Sequence, residues 1–251
     1  MGNSLNEEQV VKKIDMLTFK IVINKVKEFL DSKNEAVAIL QEIPFKCNID
    51  GFNEHILFSE FFEFFPDDKY VMLYNISSKS QIKMTVVLAK KMGLEELIYR
   101  KNNELNNNMC VSFGIKDLDL SIIGVHPHNA NELLKWLQVG GFPDIMLGDF
   151  NAGDYKKRCE DSMFKVNRDN YRKLISGYTD ICKGQMTRRT VFSNGFVYET
   201  PIDHVLIKNS SELTKKYQCK NVKIEINEDN VSDHYPIYFK LLCLDEVDKS
   251  Q

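Results

Sequence analysis

Apolar positions along the chain follow two periods. Between residues 7 and 33, Val10, Val11, Ile14, Leu17, Phe19, Ile21, Val22, Val26, Phe29 and Leu30 fall at helical spacing with charges between them, and Asp31-Ser32-Lys33-Asn34 closes the run. This predicts an amphipathic helix ending in a turn. Short apolar or alternating runs predict strands at 36–41, 70–74, 83–90, 109–116, 119–125, 144–149, 204–208, 221–226 and 235–242. Asn129, with Glu132 three residues on and Leu133, Leu134, Trp136 and Leu137 behind, has the form of a capped helix start. A further helix is expected from Asn167 to Ile175, followed by a turn at Gly177-Tyr178-Thr179-Asp180. Phe58, Phe61 or Phe62, and Phe65 lie about one turn apart and predict a short helix with a buried aromatic face, stopped by Pro66-Asp67-Asp68. The sharper alternative is an apolar projection that touches lipid or an unstacked base.

Polar residues gather at the ends of five of these runs. Gln41-Glu42 follows the first strand, His126-Pro127-His128-Asn129 follows Val125, and Gly148-Asp149-Phe150-Asn151 ends the run from Ile145. Asp203-His204 and Ser232-Asp233-His234 instead precede their strands. If the first three strands run one way in mixed sheets and the last two the other way, all five clusters meet at one edge. Asp149 and Asn151, two apart, would point the same way on an extended strand end, with Phe150 opposite.

Composition narrows the classes. The 251 residues suffice for one large domain, and 43% hydrophobic with 27% charged residues is ordinary for a globular protein. A net charge of −3 gives no global field for a non-specific polyanion binder, though a local basic patch is compatible with it. Cys47, Cys110, Cys159, Cys182, Cys219 and Cys243 form no Cys-x-x-Cys pair, which points to free thiols in a reducing cytoplasm rather than structural zinc. No apolar stretch approaches a membrane span, and Met1 to Glu8 is too polar for a signal peptide. His126 and His128, two apart, have the form of a zinc pair, but no third soft ligand accompanies them.

Five segments together resemble the metal-dependent endonuclease/exonuclease/phosphatase superfamily: Leu40-Gln41-Glu42, Val125-His126, Leu147-Gly148-Asp149-Phe150-Asn151, Ile202-Asp203-His204-Val205 and Ser232-Asp233-His234-Tyr235-Pro236. With no repeat, Gly/Ser linker or composition break, the chain reads as a single domain over 1–251 with a frayed tail from about 245. The resemblance implies an α/β (α+β) fold like deoxyribonuclease I, a four-layer α/β/β/α sandwich of two mixed sheets with outer helices. It also implies Mg²⁺ (or Mn²⁺) as cofactor, with Glu42 as the metal-binding carboxylate and Asp233 contributing to the metal environment. By the same resemblance Asp149 and Asn151 orient the attacking water and hold a phosphate oxygen. His234 contacts the phosphate with Asp203 behind it, and His126 is a general acid or phosphate donor. Either His234 or Asp149 takes the water's proton. His204 is expected to point away from Asp203 in a structural role.

One departure concerns the family's first strand, which ends in an Asn that helps bind the metal. Here Met1-Gly2-Asn3-Ser4-Leu5-Asn6 has no apolar run ahead of it, so that strand lies upstream of Met1 or is missing, with Asn3 or Asn6 as stand-ins. Three functions compete. A nuclease is favoured by Lys156, Lys157, Arg158, Arg188 and Arg189, which flank the Asp149 and Asp203 segments and could line a phosphate track, against the plainer reading of solvated surface charge. A phospholipid or inositol-phosphate hydrolase is motivated by the Phe58–Phe65 cluster and His126. A catalytically inactive binding module draws on the absent strand. The enzyme is expected to be a cytoplasmic monomer with nucleic acid as its substrate.

Overall fold

Phe19, Ile23 and Leu30 recur at helical spacing on the first described helix, α1 (Met16–Asp31), and are buried against a sheet. The computed structural model describes residues 16–44, 47–49, 52–54, 61–75, 83–101, 107–153, 162–191, 193–226 and 232–244. It divides the chain into two compact units, residues 1–119 and 120–251. Asn3, Asn6, His55, Phe58 and the Lys156-Lys157-Arg158 run lie outside the described residues.

In the first unit, β1 (Val37–Pro44) and β4 (Tyr70–Tyr74) flank β5 (Lys83–Lys90), both antiparallel to it. Residues 84–89 of β5 are all buried, as a central strand covered on both faces requires. Two short strands, β2 (Cys47–Ile49) and β3 (Phe52–Glu54), form a hairpin. A second antiparallel pair joins β6 (Ile98–Arg100) to β7 (Cys110–Ile115). The sequence pattern had no signal for β6, because Ile98-Tyr99-Arg100 is too short to show a period.

The aromatic segment divides between a strand and a helix. Phe52 falls in β3, and residues 61–64 are helical, as the spacing predicts. Phe61 and Phe65 are core residues at 0% and 1% exposure, with ring centroids 5.0 Å apart, and Phe65 meets Tyr70 edge-on. Among the described residues of this segment Phe62 is the exposed phenylalanine, against Tyr74. The buried aromatic face holds for Phe61 and Phe65. Phe61→Ala is expected to cost about 3–5 kcal/mol by cavity formation, whereas Phe62→Ala stays within roughly 0.5 kcal/mol. Urea unfolding of the two variants measures the difference.

In the second unit β8 (Ile122–Val125) leads into α2 (Ala130–Gly140), which returns the chain to β9 (Ile145–Asp149), parallel to β8. α2 starts where expected: the Asn129 carboxamide accepts from the Glu132 N–H at 3.0 Å, while the Glu132 carboxylate accepts from the His128 N–H. Next come α3 (Ser162–Leu174), longer at its start than the Asn167–Ile175 expectation, and β10 (Tyr178–Asp180), a short strand where a turn was expected. A hairpin of β11 (Arg188–Val191) and β12 (Val197–Thr200) precedes β13 (Asp203–Lys208). The strand order β10-β13-β9-β8 places β13 antiparallel to β9, with Asp203 directly opposite Asp149. After α4 (Ser211–Lys216), β14 (Tyr217–Ile224) and β15 (Ile237–Cys243) form a separate antiparallel pair. No helix among the described residues is long and apolar enough to cross a membrane.

Candidate active site

β8 and β9 run together and β13 runs against them, so the ends of the first two and the start of the third coincide. This is the arrangement expected for three of the five polar clusters. His126 follows β8, Asp149 ends β9 and Asp203 opens β13. All three are buried, at 6%, 4% and 9% exposure.

Asp149 and Asn151 converge by a different route from strand alternation. Asn151 has φ +47°, a left-handed conformation that Asn tolerates better than most residues. The chain therefore turns at once, and the Asn151 N–H donates to Asp149 Oδ1 at 2.7 Å. The other carboxylate oxygen faces two imidazoles, with His126 Nε2 at 3.4 Å and His234 Nε2 at 3.8 Å from Oδ2. The Asn151 side chain donates to the Pro127 carbonyl, and the Asn151 backbone carbonyl accepts from Asn167 Nδ2 at 2.6 Å. Asn167 Oδ1 in turn accepts from the Ala130 N–H, tying the start of α2 to the turn.

His234 belongs to a segment laid against the 187–189 backbone. The Arg189 N–H donates to the Asp233 carbonyl and the Tyr235 N–H to the Thr187 carbonyl, both at 2.7 Å. This docking aims His234 Nδ1 at Asp203, 3.0 Å from both carboxylate oxygens. Thr187 serves both partners, because its buried hydroxyl accepts from the N–H groups of Ile202 and Asp203 at 3.1 and 2.9 Å. Sequence reasoning passed over Thr187 and Asn167 as site-builders. A single hydroxyl or amide outside any periodic run leaves no pattern to find.

The remaining expected residues are placed as follows. Asp233 Oδ2 accepts from Arg188 Nε at 2.8 Å, and Oδ1 lies 3.9 Å from His234 Nε2. Glu42, in the first unit, sits inside β1 rather than past its end, at a register shift between Leu40 and Ile43 and with φ +57°. Its carboxylate pairs with Lys83. His128 is exposed, and His204 is buried on the far side of β13 from Asp203, as expected.

Burial pulls the His234 imidazole down, but the Asp203 hydrogen bond and the charges of Asp203, Asp149 and Asp233 outweigh it, so it titrates above its ordinary value of 6.5. Burial raises the Asp203 carboxyl against the lowering effect of the His234 hydrogen bond, and the Asp149 charge adds to the rise. The two titrate as a pair. Because the folded value of His234 lies above the unfolded one, its contribution to stability is complete below about pH 6.5 and is lost as pH rises through the folded value. Asp203→Asn removes the charge and leaves burial dominant. The His234 ring protons of the metal-free variant are then expected to titrate at lower pH than in the wild type, as read by NMR.

Asp149, Asp203 and His234 offer ligand atoms all within 4.8 Å of one another. Two hard carboxylates beside an imidazole suit a divalent cation that keeps part of its water shell, so the donor set fits Mg²⁺ or Mn²⁺.

No protein-family model and no curated protein matches this sequence. Solved structures do match. The endonuclease domain of TRAS1, a telomere-specific non-LTR retrotransposon, aligns with 93% of this chain and 94% of its own, at 14% identity and a TM-score of 0.55. An endonuclease/exonuclease/phosphatase family protein from Leptotrichia buccalis C-1013-b covers 95% of this chain and 97% of its own, at 16% identity and a TM-score of 0.55. ANGEL2, a 2',3'-cyclic phosphatase, covers 89% of this chain and 84% of its own, at 13% identity and a TM-score of 0.52. Mixed α/β architecture, parallel and antiparallel strands around β9, and likeness over nearly the whole length agree: the chain shares the fold of these deoxyribonuclease I-like structures.

Proposed function

We propose that this chain is a Mg²⁺-dependent phosphodiester hydrolase acting on nucleic acid. The observation that carries the reading is one buried carboxylate oxygen, Asp149 Oδ2, flanked by the imidazoles of His126 and His234, with Asp203 behind the second. Phosphodiester cleavage needs a base or orienter for water and donors for the charge that develops on the phosphoryl oxygens, and this cluster supplies both.

When bound, the divalent ion neutralises phosphoryl charge and lowers the pKa of a coordinated water. In the second unit Asp149, with Asp233 near it, would hold the ion; Glu42, in the first unit, is the metal-binding carboxylate that the resemblance implies. Asp149 orients the attacking water. His234 Nε2–H donates to the phosphate, while Asp203 accepts from Nδ1–H and fixes the tautomer, as a buried Asp does for His in hydrolases. Asn151 holds a phosphate oxygen, and His126 donates to another or protonates the leaving oxygen. Among the described basic residues Arg188, fastened to Asp233 beside His234, is placed to meet an adjacent phosphate. Of the three aligned structures, the TRAS1 domain is by its description an endonuclease and ANGEL2 a cyclic phosphatase; both descriptions fit phosphate ester hydrolysis. Burial of Phe61 and Phe65 in the core favours nucleic acid over the phospholipid alternative.

The test is a turnover panel of plasmid, single-stranded DNA, RNA, a generic phosphodiester and sphingomyelin, with and without Mg²⁺, beside Glu42→Ala. Nucleic-acid cleavage that needs Mg²⁺ and is lost in the variant is expected. Turnover of sphingomyelin alone, or equal turnover in wild type and variant, contradicts the proposal.

A further inference from the structure

His204 follows Asp203 on β13, and because successive strand residues face opposite ways it lies behind the reacting side chains, at 1% exposure. Both ring nitrogens are engaged. Nε2 lies 2.8 Å from the carbonyl oxygen of Ala152; a carbonyl only accepts, so Nε2 carries a proton and donates. Nδ1 lies 3.0 Å from Asp180 Oδ2 and 3.0 Å from the Tyr171 hydroxyl, which itself donates to Asp180 Oδ2. The ring is clasped between Tyr171 and Phe150, with centroids 4.5 and 5.3 Å away. Asp180 is locked in turn by the Cys182 N–H at 2.9 Å. Burial would raise the Asp180 carboxyl, yet the hydrogen bond and charge of His204 hold it below its ordinary value.

Ala152 follows the left-handed Asn151, in the turn that carries Asp149. That turn is also pressed against the residues leading into β13: the Phe150 N–H donates to the Ile202 carbonyl, and a Cβ at Gly153 would meet the Pro201 carbonyl oxygen at 2.0 Å.

We propose that His204 is a positioning residue, which ties the Ala152 carbonyl to β13 and so holds the Asp149–Gly153 turn in the shape that presents Asp149 and Asn151, with Asp180 and Tyr171 fixing its ring. What the turn presents them for rests on the hydrolase reading above. Neither ring nitrogen of His204 faces substrate, so its effect runs through the turn.

His204→Leu removes the donor, and His204→Gln offers an amide N–H in its place. Two readouts are taken on folded protein: hydrogen exchange at the Asn151 amide, and kcat with KM on the best substrate of the panel. In His204→Leu, Asn151 exchange is expected to rise about tenfold and kcat to fall roughly 10²-fold with KM little changed, with His204→Gln recovering most of both. If His204→Leu does not fold, Asp180→Asn, which keeps the ring but loosens it, is read the same way. Wild-type exchange at Asn151 in the folded variant overturns the inference, and so does a Gln variant that behaves like Leu. Should the wild type cleave no phosphodiester, the hydrolase reading falls, and the exchange pattern alone still decides the role of His204.

Discussion

His234→Ala is expected to lower kcat by about 10³-fold while leaving the fold intact. Among the described residues this imidazole is the donor that faces Asp149 and is backed by a second carboxylate, and loss of a single donor aimed at developing phosphoryl charge costs roughly 10²–10³ in rate. Removing the ring also leaves the Asp203 carboxylate buried without its imidazole partner, so the variant loses stability as well as turnover. His234→Gln, which retains a donor but no titrating group, separates the two effects. Turnover that partly returns with Gln identifies a hydrogen-bond donor; turnover that stays at the alanine level identifies proton transfer. Steady-state kinetics alongside urea unfolding makes the comparison.

The second large effect belongs to Asp149. Asp149→Asn keeps an oxygen to receive the Asn151 N–H, so the turn survives, but it removes the charge between His126 and His234. A loss of about 10³-fold in kcat follows from removing a group that orients or deprotonates water. Asp149→Ala removes the turn acceptor too, and is expected to cost roughly 1–2 kcal/mol of stability in addition. A stability loss confined to the Ala variant, with equal kinetic loss in both, assigns Oδ1 to the turn and Oδ2 to the chemistry.

What the sequence made legible follows from which interactions are periodic. The β5 run, the Asn129–Glu132 cap and the strand ends carrying Asp149 and Asp203 all repeat at the spacing of their element, and the structure has them at or within a residue or two of the expected bounds. In the aromatic run Phe61 and Phe65, one turn apart, face the core as their spacing predicts, while Phe52, ahead of the spaced set, lies in a three-residue strand too short to show a period. Glu42 was read as lying past a strand end, because a bulge has no signature in the order of residues; its φ of +57° arises where β1 slips its register against β5. Asp149 and Asn151 were read as neighbours on one strand face, and they do come together, but through a turn closed by Asp149 itself. Thr187 and Asn167 were invisible as site-builders, because each acts through single hydrogen bonds to backbone far away in the chain.

The central claim is that Asp149 and His234 act on one phosphate as parts of one device, and the double variant Asp149→Asn/His234→Ala measures this directly. Groups that act as a unit are grossly non-additive, so the double variant is expected to lose about as much kcat as the worse single variant. Losses that multiply would mean that the two side chains work independently, and would contradict the shared site.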